Sequence, residues 1–325
     1  MIGKARMADD DRAPIRIGVS SCLLGQNVRF DGGHKKDDFV TGSLGRYVEF
    51  VPVCPEVEVG MGIPRPTIRL ERRGEAVYLV DPKNGVDHTD AMRAWSRRRV
   101  SEIEALDLCG YVLKKDSPSC GMERVRVYAK GAPTKSGRGI FAEELLARLP
   151  LLPVEEEGRL NDPQLRENFV ERVFAYRRLK DLFRGRWTVG DVVRFHTAEK
   201  LLLLAHEPEG YRQLGRIVAR AKDVPRDELP IRYGEIFMRA MARPATPGKQ
   251  TNVLQHMAGY FKDALSGDEK AELQDAIRDY RKRLVPLVVP LTLIRHHVRK
   301  LRVGYLEGQT HLAPHPKELM LRNHV

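Results

Sequence analysis

Near residue 155 the hydrophobic period of this chain changes. Upstream, short runs rich in β-branched and aromatic residues (IRIGVSS, YVEFVPV, AVYLV, GYVLKK, VRVYAK) alternate with helical patterns such as DHTDAMRAWSRRRVSEIEAL and GIFAEELLARL. Downstream, from QLRENFVERVFAYRRLKDLF to DEKAELQDAIRDYRKRL, apolar residues recur at spacings of three and four. A helical stripe must be buried against other helices, whereas strand and helix in alternation build a sheet covered by helices. The first pattern therefore predicts an α/β domain with a largely parallel sheet over residues 13–155, its long helix entered through a polar cap near Thr89. The second predicts an all-α domain over residues 161–325. PLLPVEEEGRLNDPQ, acidic and broken by glycine and proline, reads as the linker.

The longest apolar run, LVPLVVPLTLI, is too short to span a bilayer and holds two prolines, so no membrane segment is expected. MIGKARMADDDRAP has no apolar stretch ahead of the first strand, which predicts a cytoplasmic protein without a secretory leader. The net charge is +12, of which residues 161–325 carry +10. An excess of that size favours a polyanionic partner. From Arg281 to Leu306 there are seven Lys or Arg and no acidic residue. Pro286 and Pro290 make this a bent or two-part basic element that can hold phosphates without reading sequence. His296 and His297 are adjacent and fall on different faces of a helix, so a structural or RNA-facing role is expected in preference to a metal pair.

Four cysteines are too few for a disulfide scaffold. Three share one context: Cys22 follows IRIGVSS, Cys54 follows EFVPV, and Cys120 follows GYVLKKDSPS. The crevice beyond the carboxyl ends of parallel strands is where ligands bind, so three thiols are expected to converge there. Cys109 precedes its strand, points to the opposite end of the sheet and is left out as a small buried hydrophobe. Structural zinc wants four closed ligands, often in C-x-x-C pairs that are absent here. A [4Fe–4S] cluster on three cysteines leaves one iron open to a substrate sulfur. A site without metal is equally compatible with the spacing. By themselves Glu56 is a loop carboxylate, Ser117 a turn residue before Pro118, and Arg65 a loop cation able to fork onto a carbonyl or a phosphate.

SSCLLG (Ser20–Gly25), CPEVEVGMGIPRP (Cys54–Pro66) and LKKDSPSCG (Leu113–Gly121) resemble the thiouracil desulfidase family, over roughly residues 13–155. FHTAEKLLLLAH, HMAGYFK and LIRHHVRKLRVGYLEGQTHLAPHPKEL resemble a domain often fused to it, an arrangement similar to that of tRNA 4-thiouridine desulfidases. The resemblance implies an enzyme that replaces the sulfur of a thiolated pyrimidine, 4-thiouridine in tRNA, with oxygen. It implies a [4Fe–4S] cluster on Cys22, Cys54 and Cys120 whose fourth iron takes the sulfur through a [4Fe–5S] species. Glu56 and Ser117 are then catalytic, Ser21 and Arg65 contact the substrate, and the helical half engages tRNA. Lys115 and Asp116 depart from the family's pattern, so no role is carried over to them. Two rivals stay open: a desulfidase of free thiolated pyrimidines, and a non-catalytic metal-containing RNA-binding protein.

Overall fold

The computed structural model describes residues 14–129 and 132–325, so nearly all of the stretch read for a leader lies outside it. The chain divides into two compact units, Met1–Asn161 and Asp162–Val325.

In the first unit the order is β1 (Ile15–Ser20), β2 (Val48–Val53), α1 (Pro55–Glu58), β3 (Arg69–Arg73), β4 (Ala76–Val80), α2 (Thr89–Ala105), β5 (Gly110–Leu113), β6 (Val125–Tyr128), β7 (Thr134–Gly137), α3 (Ile140–Arg148) and β8 (Val154–Glu156). Four strands form the expected parallel sheet in the order β2-β1-β5-β8. β5, the run GYVL, is buried throughout, as a strand covered on both faces must be. Trp95 of α2 and Phe141 of α3 pack ring against ring at 5.6 Å, and Phe141 reaches Tyr111 of β5 at 5.8 Å.

A second sheet, β4-β3-β6-β7, is mixed: β3 runs parallel to β6, while β3–β4 and β6–β7 are antiparallel. Its strands β3 and β7 were not foreseen, because RLERR and TKSG carry almost no apolar signal. The boundary between the units falls inside PLLPVEEEGRLNDPQ, after Asn161, but the stretch is not an open linker: β8 runs through it and pairs with β5, and Glu155, Glu156 and Glu157 are buried. Those carboxylates have partners, Glu156 accepting from the Met122 amide at 2.7 Å and Glu155 from Arg159 at 2.6 Å. Thr89 is also not the cap of α2. It is the first helical residue, and its hydroxyl accepts from the Leu79 amide at 2.8 Å, pinning the helix to β4.

The second unit is helical as expected: α4 (Pro163–Phe183), α5 (Val189–His206), α6 (Pro208–Ala219), α7 (Glu228–Met241), α8 (Pro247–Ala258), α9 (Gly267–Arg281), α10 (Val288–Leu301) and α11 (Gly304–Glu307). Thr188 and Ser266 open α5 and α9 with reciprocal capping boxes. Leu254, Met257, Phe261, Leu291 and Ile294 are fully buried in one core. The basic stretch from Arg281 onward is in two parts, broken between α9 and α10, with Pro290 in the first turn of α10. Part of its charge is used internally, Lys300 pairing with Glu269 at 2.7 Å. Buried Arg322 binds Glu171 at 2.7 Å and Glu167 at 3.1 Å, and His206 meets Glu171 at 3.0 Å. Burial opposes ionisation of Glu171, but Arg322 and His206 outweigh it and hold the carboxyl below its usual range. No helix among the described residues is long and apolar enough to cross a membrane.

Candidate functional site

The carboxyl ends of β1, β2 and β5 open onto one cavity of about 380 Å³, lined by Ser21, Cys22, Cys54, Glu56, Arg65, Ser117 and Cys120 among others. Every residue singled out from the sequence as a site candidate is therefore on one surface. Cys109 is not. It lies at the other end of β5, its amide donating to the Arg16 carbonyl at 2.8 Å.

Each thiol is presented by a different local device. Cys22 sits in the tight turn Ser21–Leu24 that follows β1, closed by Gly25 at φ 87°. Cys54 caps the amino end of α1, its own amide donating to Glu58 Oε1 at 3.1 Å, while Arg99 holds Glu58 at 3.1 Å. Cys120 belongs to a turn organised by Ser117, whose Oγ accepts from the amides of Ser119 at 3.2 Å and Cys120 at 3.0 Å. The Ser117 carbonyl accepts from Gly121 at 2.8 Å. This turn lies against the start of α3, with the Phe141 amide donating to the Ser119 carbonyl at 3.0 Å and Gly139 to that of Gly121 at 2.8 Å. The approach is so close that a Cβ on Gly139 would stand 2.4 Å from the Ser119 carbonyl.

Electrostatically the site does not favour free thiolates. Burial pushes Cys22 up to about 11 and Cys54 up to about 12, and Cys120 well above the ordinary thiol range. Lys114 offsets part of this at Cys22, whereas Glu56 adds to it at all three. A metal centre bound among them would supply the positive charge that favours three thiolates here. Among the described residues no three His, Cys, Asp or Glu side chains form a site for a single metal ion. In a cubane each cysteine serves a different iron, which asks for wider separation than ligands sharing one ion.

Glu56 meets three of the other candidates. Its Oε1 accepts from Ser117 Oγ at 3.4 Å, its Oε2 from Cys54 Sγ at 3.5 Å, and Arg65 Nη2 stands 3.9 Å from Oε2. The Arg65 guanidinium is almost wholly covered and already bonded: Nη1 donates to the carbonyls of Val28 at 2.9 Å and Gly62 at 3.1 Å. It braces two loops as well as facing the cavity. Lys114 was missed by sequence reasoning. It lines the cavity, its amide donates to Ser20 Oγ at 2.9 Å, and its ammonium pairs with Glu157. The available signal was its position, one residue beyond the carboxyl end of β5. Lys115 and Asp116 also reach the cavity, with Asp116 in the left-handed region at φ 59°.

The family model described as 2-thiouracil desulfurase matches residues 17–157, and the one described as protein of unknown function (DUF1722) matches residues 200–316. The uncharacterized protein YbgA of Escherichia coli (strain K12) is 30% identical over 165 residues, covering 50% of this chain and 98% of that protein. The uncharacterized protein YbbK of Bacillus subtilis (strain 168) is 28% identical over 151 residues, covering 45% and 98%. A solved structure of the [4Fe-4S]-dependent thiouracil desulfidase TudS is 32% identical, covering 46% of this chain and 94% of that one, with a TM-score of 0.35.

Proposed function

Because the chain belongs to the thiouracil desulfidase family and carries a DUF1722 domain as well, we propose that it is an iron–sulfur desulfidase acting on 4-thiouridine in tRNA. The observation that carries this reading is the convergence of Cys22, Cys54 and Cys120, each from its own strand end, on one cavity with Glu56 and Ser117. The three thiols are the ligands of a [4Fe–4S] cluster. When bound, it supplies an iron without a cysteine ligand, a Lewis acid for the thione sulfur. The net change is C=S plus water to C=O plus hydrogen sulfide.

The protein's own groups handle the water and the proton. Glu56 Oε1 takes a proton from the water that attacks the ring carbon. Ser117 Oγ, fixed by two backbone amides and aimed at Oε1, keeps that carboxylate and the pyrimidine edge in register. Arg65 Nη2 steadies the other oxygen. Ser21, buried beside Cys22 and lining the same cavity, meets the substrate there. The helical unit, with most of the net positive charge, engages the tRNA.

The test is anaerobic purification with iron and sulfide analysis, followed by assays on thiolated tRNA and on free thiouracil. The expected protein is brown, holds about four irons and prefers the tRNA. Colourless protein with stoichiometric zinc would sink the cluster, and turnover of free thiouracil alone would sink the tRNA assignment.

A further inference from the structure

One face of the sheet β4-β3-β6-β7 is buried; the other is exposed at Arg73 and Arg126 and covered at Val80. Leu70, Leu79, Val125 and Val127 are buried on the inner face, so strand alternation sets Arg69, Glu71, Arg73, Arg126 and Tyr128 on the outer one. Glu71 there is shared by two guanidinium groups, Arg69 at 3.0 Å and Arg73 at 3.1 Å. Each guanidinium also lies over a ring, Arg69 over Tyr128 at 4.7 Å and Arg73 over Tyr78 at 5.2 Å. One carboxylate between two cations leaves net positive charge held flat on the sheet.

Beside this group, Arg126 of β6 is registered directly opposite Lys135 of β7. Both are exposed, and among the described residues neither meets a carboxylate. Like charges directly opposite each other destabilise a sheet. An anion lying across the pair removes that cost. Two of its strands start close to the cavity: Thr67 and Ile68 line it and the next residue opens β3, while Cys120 lines it and β6 begins five residues on. At about 3.3 Å per strand residue, Arg73 stands roughly 17 Å along the chain from Ile68.

We infer that the outer face of this sheet is a docking surface for the phosphate backbone of a polynucleotide whose thiolated base enters the cavity. The inference rests on the desulfidase reading of that cavity. A row of cations interleaved with aromatic rings, on strands that start beside the cavity, suits an extended phosphate chain. A free pyrimidine in the cavity would not reach it.

The test uses R126E and R126E/K135E in the full chain, with an unmodified single-stranded oligouridylate as the probe, followed by fluorescence anisotropy between 50 and 200 mM salt. The double variant is expected to bind about tenfold more weakly, with a log–log salt slope shallower by about 1 to 2. Turnover of free 4-thiouridine stays at the wild-type rate. R126E, which turns a like-charge pair into an opposite one, melts at or above wild type while binding the probe less well. Unchanged affinity and slope in the double variant would overturn the docking surface, as would a lowered melting temperature in R126E. Loss of binding to phosphatidylserine vesicles with oligouridylate affinity intact would overturn it too, in favour of a lipid-facing sheet. Wild-type protein that binds the probe but desulfurates neither free nor RNA-borne thiouridine would instead sink the desulfidase reading and leave the surface standing.

Discussion

Ser117 Oγ lies 3.4 Å from Glu56 Oε1, although 61 residues separate them in the chain. The hydroxyl oxygen already accepts from two amides of its own turn, so its proton is free to go to the carboxylate. One side chain thus shapes the loop that carries Cys120 and orients the group proposed as the base.

Glu56→Gln is expected to keep full iron content and lose about a hundredfold or more in single-turnover desulfuration, the usual cost of removing a general base. Ser117→Ala is expected to lose somewhat less. Because it also frees the amides of Ser119 and Cys120, it should lower the melting temperature, which Ser117→Thr should restore. Near-wild-type rates in Glu56→Gln and Ser117→Ala, at matched iron content, would remove both residues from the chemistry.

Alanine at Cys22, Cys54 or Cys120 is expected to abolish iron binding. Cys109→Ala should retain it at a stability cost of about 1 kcal/mol for a small buried side chain. Iron and sulfide assays on the four variants decide this, and equal loss in all four would mean the ligand set is wrong.

Gly139→Ala tests how far the Cys120 turn depends on close backbone packing. The new Cβ would meet the Ser119 carbonyl carbon and oxygen at 2.4 Å and the Cys120 amide nitrogen at 2.8 Å, all backbone atoms with little room to yield. A loss of roughly 1–3 kcal/mol and reduced iron occupancy are expected. Gly42→Ala, with nothing within 4 Å, is the control and should be near neutral. Thermal melts and iron content read both.

Stability of the helical unit is expected to fall as pH drops from about 6.5 to about 4. Burial, with Lys200 nearby, lowers His196 to about 4. An unfolded histidine titrates near 6.5, so in that window the unfolded state binds the extra proton and gains in stability. His311, fully buried and lowered in the same direction, adds to the slope. His196→Gln should flatten the fall in melting temperature between pH 7 and pH 4.5, by on the order of 1–2 kcal/mol. A variant with the wild-type pH dependence would exclude His196 as a contributor.

The sequence alone determined the division into an α/β half and a helical half, and the identity of the cavity's thiols. β1, β2 and β5 are apolar enough to be recognised one at a time, and parallel strands bring their carboxyl ends to one edge whatever their order. Position after a strand was therefore sufficient to group Cys22, Cys54 and Cys120 and to set Cys109 apart. Tertiary structure decided what local patterns cannot encode. β3, β7 and β8 owe their existence to neighbours, since RLERR, TKSG and VEE are extended by pairing with β4, β6 and β5 and lack an apolar period of their own. The buried glutamates of β8 are stable there because the Met122 amide, from a loop 34 residues away, and the nearby Arg159 satisfy them. The bond from Ser117 to Glu56, the bracing of Arg65 and the arrival of Lys114 at the cavity are all relations between segments. They depend on where the sheet puts its loop ends in space, and no spacing along the chain contains that distance.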